Sequence, residues 1–277
     1  MKINVAKSSG FCFGVRRAIN MSLALAGNRK NLYVLGDIVH NKFVVEDLEN
    51  RGIKKIKRIT PRENAILIIS AHGAGREAFE KAVASGFEIA DATCPRVKDI
   101  YAIAGKIEKD RQVIIIGDKG HTEVKGIEGQ LTKKPIIIES PDKIPYPRLK
   151  NINKAGVVTQ STQSISNING IVEKLRKIIP DVELFKTTCA ITAIKQKEIE
   201  TLPKQNDAVL IVGGAKSANT KRLYQISKKI NPNTFWIESA EGLKKIWFKK
   251  VNSVGIMAGA STPDEIVNKI VLALKNL

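Results

Sequence analysis

Three cysteines lie far apart in this sequence of 277 residues, and each stands between an apolar stretch and a helix-like stretch. Cys12 precedes GVRRAINMSLALAG, Cys94 precedes PRVKDIYAIAGKIEKD, and Cys189 precedes AITAIKQKEIE. The three thiols occupy the same kind of position in roughly equal thirds of the chain. We therefore expect them to converge as thiolates on one metal or cluster, which in a reducing compartment is favoured over a disulfide.

All three histidines of the sequence also follow apolar stretches, as do several short polar motifs. His40 lies in GDIVHN, His72 in SAHGAG and His121 in GDKGHTE. The comparable motifs without histidine are TQST at 159–162, GGAKSAN at 213–219 and AGAST at 258–262. Ligands of parallel sheets bind beyond the carboxyl ends of the strands. The sequence therefore predicts one binding site built from these strand ends.

Strands that alternate with helices must position these residues. Apolar runs without alternation, as at 66–69, 113–116 and 209–212, are typical of parallel strands covered on both faces. Pro95, directly after Cys94, and Pro263, directly after Thr262, each fit the first turn of a helix. The pattern predicts an α/β fold of three small lobes, with mostly parallel sheets in a pseudo-threefold arrangement around a shared centre.

The predicted lobes divide the chain close to the cysteines. The first lobe spans 12–94, the second spans 95–189, and the third combines 190–277 with 1–11. The third lobe takes the N-terminal strand because it otherwise lacks a strand that leads into a cysteine. Each lobe then has a last strand that leads into a cysteine, which is Cys94 for the first lobe, Cys189 for the second and Cys12, directly after residues 1–11, for the third.

Composition and charge narrow the functional classes. The chain is 43% hydrophobic and 26% charged, with a formal net charge of +19. The charge fits either a lysine-rich solvated surface or attraction of anionic substrates and acidic partners. Basic residues do not alternate with aromatic residues, so we expect no nucleic-acid partner. No apolar run approaches the roughly 18 residues of a membrane span, and the N-terminus lacks a signal-peptide core, so we expect a cytoplasmic protein.

The thiolates could hold more than one kind of metal group. Soft sulfur ligands suit zinc or an iron–sulfur cluster. Structural zinc sites usually take their ligands as local pairs, which this sequence lacks. Three cysteines on a [4Fe–4S] cluster would leave one iron without a protein ligand, able to bind a substrate as a Lewis acid. The alternative is three buried structural cysteines that do not meet.

The polar motifs suit an anion and a proton transfer. Ser217, Asn219 and Ser261 follow small-residue turns ahead of helical stretches, where a phosphate would be stabilised. The same residues could equally be ordinary helix caps. Glu123 lies two residues after His121 and could hand on a proton. From spacing alone, a first-turn glutamate that complements the helix dipole is the better interpretation of Glu123.

Eight motifs in order resemble the IspH (LytB) family of 4-hydroxy-3-methylbut-2-enyl diphosphate reductases. They are GFCFGVRRAI, GDIVHNKFVV, SAHGAG, DATCPRV, GHTEVKG, TQST, AKSANTKRL and AGASTPDE. The resemblance implies a monomeric, three-lobed α/β oxidoreductase with a central [4Fe–4S] cluster. It also implies the two-electron reductive dehydroxylation that ends the methylerythritol phosphate route to isoprenoids. The products would be isopentenyl and dimethylallyl diphosphate, and the electron donor ferredoxin or flavodoxin.

The resemblance also implies roles for individual residues. Cys12, Cys94 and Cys189 would hold the cluster, with the substrate hydroxyl bound to the open iron. Glu123, His121 and Thr162 would be catalytic, and Thr192 matches a family site threonine. The substrate-binding residues would be His40, His72, His121, Thr162, Ser217, Asn219 and Ser261. The alternative is another [4Fe–4S] enzyme with an open iron, a redox-neutral dehydratase acting on a phosphorylated substrate.

The sequence departs from the family pattern at a few positions. Ala218 stands where the family often has serine, so one hydroxyl contact to the diphosphate is missing. A charge-assisted hydrogen bond is worth about 1.5–3 kcal/mol, so we expect weaker binding. Ser161 stands where threonine is common, and the stretch 190–196 is more apolar than the usual Tyr-Ala-Thr-Thr-Asn-Arg-Gln. Neither change affects the proposed cysteine ligands.

Overall fold

The computed structural model describes residues 1–27 and 31–276. These residues form twelve β-strands and ten α-helices. The strands are β1 (Lys2–Val5), β2 (Leu32–Leu35), β3 (Ile53–Ile56), β4 (Ala65–Ile69), β5 (Phe87–Asp91), β6 (Gln112–Ile116), β7 (Ile136–Ile138), β8 (Lys154–Thr159), β9 (Asp181–Leu184), β10 (Ala208–Val212), β11 (Thr234–Ile237) and β12 (Ser253–Ala258). The helices are α1 (Phe13–Ala26), α2 (Lys42–Asn50), α3 (Arg76–Ala84), α4 (Pro95–Ile107), α5 (Thr122–Glu128), α6 (Tyr146–Leu149), α7 (Ile165–Arg176), α8 (Ala190–Ile199), α9 (Ala218–Ile230) and α10 (Asp264–Lys275).

The strands form three sheets with one repeated topology. The strand orders are β3-β2-β4-β5, β7-β6-β8-β9 and β11-β10-β12-β1, and every strand pair is parallel. Strand β1 thus holds the edge position in its sheet that β5 and β9 hold in theirs. The predicted α/β fold with three parallel-sheet lobes is confirmed, and so is the membership of the N-terminal strand in the third sheet.

The second sheet shows why the apolar runs lack alternation. Ile114 and Ile116 of β6 pack in one core with Ile171 of α7. Val113 and Ile115 of the same strand pack in another core with residues of α4 and α5. Because helices cover both faces, each residue of the strand meets an apolar surface, and polar residues appear only beyond its carboxyl end.

Two proline-marked helix starts agree with the sequence to within one residue. Helix α4 begins at Pro95, directly after Cys94, as predicted. Helix α10 begins at Asp264, so Pro263 occupies the preceding cap position instead of the first turn. None of the described helices is long and apolar enough to cross a membrane.

The described chain divides into two compact units. The terminal unit comprises Met1–Arg16, Val39–Glu46 and the chain from Ala190 onwards, whereas the central unit comprises Arg17–Ile38 and Asp47–Cys189. The terminal unit contains the sheet of β1, β10, β11 and β12, and the central unit contains the other two sheets. The three lobe boundaries proposed from the sequence, and the pseudo-threefold arrangement of the lobes, stay predictions.

Candidate functional site

The three cysteines occupy matching positions in the three sheets. Each follows the edge strand of its sheet, and its backbone N–H donates to a carbonyl in the loop after the neighbouring strand. The bonds run from Cys12 to Ala260, from Cys94 to Ala71 and from Cys189 to Ser161, at 3.0, 3.0 and 2.9 Å. The positional equivalence that the sequence suggested is therefore repeated in the backbone hydrogen bonds.

Each cysteine also stands at the start of a helix. Helices α1, α4 and α8 begin at the residues that follow Cys12, Cys94 and Cys189. The Cys12 sulfur accepts the backbone N–H of Val15 at 3.5 Å. Helix N-termini carry partial positive charge and attract anionic groups, and the thiolate is the form of cysteine that binds metals. All three side chains are partly buried.

The surroundings of the three cysteines fit a metal cluster with thiolate ligands. Thiolates at helix N-termini provide soft, anionic donors of the kind that iron–sulfur clusters require. In the part of the chain that the structure describes, no group of three or more His, Cys, Asp or Glu side chains lies close enough together to hold a metal ion. The donor chemistry fits a cluster, and the convergence of the three cysteines stays a prediction.

In the central unit, Glu123 is a buried and firmly held carboxylate. It lies in the first turn of α5, and its residue is only 2% exposed. The backbone N–H of Ser161 donates to Glu123 Oε1 at 2.5 Å, and the Ser161 hydroxyl donates to Oε2 at 2.8 Å. The helix-dipole interpretation explains the position of Glu123 in its helix but not its burial. A buried carboxylate held by specific donors is better suited to chemistry than to a purely local role.

His121 caps the same helix and lies beside His72. The His121 ring accepts the backbone N–H of Glu123 at Nδ1, at 3.2 Å. A neutral ring that accepts at Nδ1 carries its proton on Nε2, from which it can donate to an anion. The rings of His72 and His121 pack edge to face, with centroids 5.7 Å apart. The structure therefore brings together two of the predicted substrate-binding histidines.

Tyr101 supports this pair of histidine loops, although no sequence motif indicates it. Its hydroxyl donates to the His72 carbonyl oxygen at 3.4 Å. A Cβ atom would lie 2.0 Å from the Tyr101 hydroxyl if added at Gly73, where φ is +76°, and 2.4 Å from it if added at Gly126. Burial, aided by the negative charge of Glu123, raises the pKa of Tyr101, so the hydroxyl stays protonated.

Gln160 fixes the loop that carries Thr162. The Gln160 side chain is fully buried; its Oε1 accepts the backbone N–H of Asp118 at 2.9 Å, and its Nε2 donates to Thr162 Oγ1 at 3.1 Å. Because Thr162 Oγ1 accepts this bond, its own O–H can donate elsewhere. Thr162 directly follows Ser161, the partner of Glu123, so one loop positions both predicted catalytic side chains.

In the terminal unit, His40 lies against two of the predicted loops. The Ser261 hydroxyl donates to the His40 carbonyl oxygen at 3.3 Å. A Cβ atom added at Gly214 would lie 2.4 Å from that same oxygen, so only glycine permits the close approach of the two backbones. Asn41 then caps α2, because its Oδ1 accepts the backbone N–H of Phe43 at 3.0 Å. The structure thus joins three motifs that are distant in the sequence.

Ser217 and Asn219 open helix α9 in the same unit. Ser217 Oγ accepts the backbone N–H of Thr220 at 3.2 Å, which confirms the cap interpretation for that oxygen. The Asn219 side chain is 4% exposed, and its Nδ2 has no hydrogen-bond partner among the described residues. Buried amide donors nearly always have partners, so Asn219 is suited to an anionic ligand at the helix N-terminus.

Lys195 is a second site residue that was not predicted from the sequence. It lies on the buried face of α8 with Thr192, Gln196 and Ile199, and it is 1% exposed. Burial lowers the pKa of Lys195 to about 8, although the nearby Cys12 opposes this shift. The detectable signal in the sequence was a lysine at the i, i+3, i+4 spacing of a buried helix face.

Comparison with known proteins gives one consistent result. A family model described as LytB protein matches residues 3–275. The 4-hydroxy-3-methylbut-2-enyl diphosphate reductase of Geotalea daltonii is 37% identical and covers 100% of this chain and 98% of its own length. The enzyme of the same name from Dictyoglomus thermophilum is 38% identical and covers 100% of this chain and 97% of its own length.

Two solved structures have the same fold over nearly the whole chain. One is the structure of (E)-4-hydroxy-3-methyl-but-2-enyl diphosphate reductase, described as the terminal enzyme of the non-mevalonate pathway; it is 35% identical, covers 100% of both chains and has a TM-score of 0.72. The other is the E-1-hydroxy-2-methyl-but-2-enyl-4-diphosphate reductase of Plasmodium falciparum. It is 30% identical, covers 99% of this chain and 88% of its own, and has a TM-score of 0.91. The chain belongs to the LytB family, which these full-length similarities in sequence and structure establish.

Proposed function

We propose that this protein is a 4-hydroxy-3-methylbut-2-enyl diphosphate reductase that uses a [4Fe–4S] cluster. The reaction removes the allylic hydroxyl of the substrate: the C–O bond breaks, a new C–H bond forms, and the oxygen leaves as water. Two electrons and two protons are consumed, and the products are isopentenyl and dimethylallyl diphosphate. The relatives are named as reductases, which favours this reaction over a redox-neutral dehydration.

The repeated surroundings of the three cysteines allow the proposal to be extended from the family to particular residues of this chain. The three cysteines stand at equivalent strand ends, with equivalent backbone hydrogen bonds and a helix beginning after each. Three structural cysteines without a shared role would have no reason to repeat this arrangement. We assign Cys12, Cys94 and Cys189 as the cluster ligands. When bound, the cluster would supply the electrons and a Lewis-acidic iron for the substrate hydroxyl.

Side-chain donors of the terminal unit would bind the diphosphate. We assign this role to Ser217 and Asn219 at the start of α9 and to Ser261 and His40 in the adjoining loops. The buried Nδ2 of Asn219 supports the assignment, because an anion would complete its hydrogen bonding. In the central unit, His72 and His121 are assigned as further donors to the diphosphate.

Glu123 would deliver protons to the reacting carbon and to the leaving oxygen. Its carboxyl oxygens are held by Ser161, so their position is set before substrate arrives. A positioned carboxyl group transfers a proton to a reacting group within hydrogen-bond reach, and it must regain a proton from water between the two transfers of one turnover. Thr162 Oγ1, held by Gln160, is assigned as a second proton-carrying group.

The electrons would come from an acidic carrier such as ferredoxin or flavodoxin. The formal net charge of +19 supports attraction of an acidic protein, which would make the reduction rate fall as salt increases. The monomeric state and the cytoplasmic location stay predictions from the sequence.

An anaerobic assay tests the function directly. The protein would be purified and reconstituted with iron and sulfide without oxygen, and then given the allylic diphosphate and a strong one-electron donor. We expect a brown protein that forms isopentenyl and dimethylallyl diphosphate, and the Cys94→Ser variant should form neither. A colourless wild-type preparation, or a brown one that makes no product, would contradict the proposal.

A further inference from the structure

Helix α8 holds the loop that leads to Cys12. The carboxylate of Glu198 on this helix accepts the backbone N–H groups of Lys7 at 2.6 Å and Ser8 at 2.9 Å. It also accepts the hydroxyl of Ser8. Hydrogen bonds to charged groups are among the stronger ones in proteins, so this contact fixes the first half of the loop.

Lys195, one turn earlier on α8, binds the same loop through its carbonyl oxygens. Its ammonium donates to the carbonyls of Ser8 and of Gly10, the latter at 3.3 Å, and to Ala258 at 3.1 Å at the end of β12. These three acceptors match the three donors of an ammonium group. Lys195 is also the largest fully buried side chain of the described chain. Burial of an ammonium group carries a large desolvation penalty, which its three carbonyl partners must offset.

The conformation of the loop at Gly10 is one that a residue other than glycine would not readily adopt. Gly10 adopts φ +92°, a conformation that favours glycine, and a Cβ atom there would lie 2.2 Å from Asp264 Oδ1. Beyond Gly10, the backbone N–H of Cys12 donates to Ala260. The loop is therefore fixed along its length, and the Lys195 ammonium binds it at Gly10, two residues before Cys12.

We propose that Lys195 is a positioning residue for the reductase: with Glu198 it holds the loop before Cys12 in one conformation, and its ammonium brings a positive charge to Gly10, two residues before that thiolate. The inference rests on the proposed role of Cys12 as a cluster ligand. A nearby positive charge stabilises the reduced, more negative state of a cluster and so raises its reduction potential. The loop contacts also oppose dissociation of Cys12 from iron.

The test uses the full-length protein with and without reconstituted cluster. The variants are Lys195→Met, which removes the charge and the donors, and Lys195→Arg, which retains both. Lys197→Met on the exposed face of the same helix is the matched control. Three measurements apply: hydrogen exchange of residues 7–13, the cluster midpoint potential from an EPR-monitored titration, and the rate of cluster loss to a chelator.

We expect Lys195→Met to speed exchange in residues 7–13 and cluster loss by about tenfold each, and to make the midpoint potential more negative. Lys195→Arg should restore most of each change, and Lys197→Met should match wild type. If Lys195→Met matches Lys197→Met in exchange, potential and cluster loss, the proposal is overturned.

Two further outcomes separate this inference from the proposed function. If Lys195→Met does not fold, Glu198→Gln tests the same loop, and exchange of residues 7–8 no faster than in wild type would contradict the positioning role. If wild type takes up no cluster, the proposed function fails and the electrostatic half of the inference fails with it. Exchange measured without cluster then still decides whether Lys195 and Glu198 hold the loop.

Discussion

The loops after β6 and β10 have the same backbone plan but carry different chemistry. Both begin with a glycine whose N–H donates to a neighbouring strand, Gly117 at 3.1 Å and Gly213 at 3.0 Å. Both end with a side chain that caps the next helix, His121 before α5 and Ser217 before α9. The β6 loop leads to an imidazole and a buried carboxylate, whereas the β10 loop leads to a hydroxyl and an amide. We therefore expect one backbone plan to support two roles: the residues after β6 would carry the proton chemistry, with His121 also donating to the diphosphate, and the residues after β10 would only bind the diphosphate.

The largest effect is expected from changing the acid of the β6 loop. Glu123→Gln keeps the size of the side chain but cannot release a proton at physiological pH. We expect kcat to fall by about 10²- to 10⁴-fold, the usual contribution of a general acid, with little change in affinity for inorganic diphosphate. Steady-state assays on the reconstituted enzyme measure kcat, and isothermal titration calorimetry measures the affinity for diphosphate.

Ser161→Ala is the companion variant for Glu123, because it removes one donor to the carboxylate and leaves the carboxyl group in place. Its kcat should lie between those of wild type and Glu123→Gln. A Glu123→Gln enzyme with normal turnover would show that the β6 loop does not carry the proton chemistry.

The second-largest effect is expected on the affinity for diphosphate when a residue that follows the β10 loop is changed. Asn219→Ala removes the buried amide that lacks a partner among the described residues. We expect the Kd for inorganic diphosphate to rise by about 10- to 100-fold, which corresponds to a lost hydrogen bond to a charged group. Thermal unfolding without ligand is the control, since the melting temperature should hardly change if Nδ2 serves the ligand and not the fold. A kcat defect without a change in Kd would contradict the division between the loops.

The positions of both loops could be predicted from the sequence, but the distant side chains that hold the site residues in place could not. Apolar strands followed by small and polar residues are local patterns, so the strand ends and the cysteine-to-helix transitions were accessible. Lys195 binds Ser8, which is 187 positions away, and Ser161 binds Glu123 across 38 positions. Local periodicity contains no information on such pairs. The cap role of Ser217 was predictable because its partner, Thr220, lies only three positions away. The burial of Glu123 was not, because its partner is distant in the sequence.

A third, smaller effect concerns the glycine that brings the β10 loop against His40. Gly214→Ala would place a Cβ atom 2.4 Å from the His40 carbonyl oxygen, so the backbone must shift. Overpacking of this kind costs about 1–3 kcal/mol of unfolding free energy, measurable by urea denaturation. Gly105→Ala in α4 is the matched control, because a Cβ atom there meets nothing within 4 Å. Equal stability of the two variants would show that the β10 loop accommodates the change without moving His40.

The smallest effect is the only one expected to increase affinity. A substitution at the start of α9 tests whether this region can bind diphosphate more tightly. Ala218 is the first residue of α9, it is 7% exposed, and it lies between the two proposed diphosphate ligands. Ala218→Ser adds a hydroxyl at a helix N-terminus, where an anion is already favoured. A hydrogen bond to a charged group is worth about 1.5–3 kcal/mol, and because Ser217 and Asn219 would already bind the same anion we expect the lower end of this range, a fall of about tenfold in the Kd for inorganic diphosphate. Ala102→Ser on the exposed face of α4 should leave the Kd unchanged. Unchanged affinity in Ala218→Ser would mean that the diphosphate does not lie at the start of α9, and the assignments of Ser217 and Asn219 would fail together.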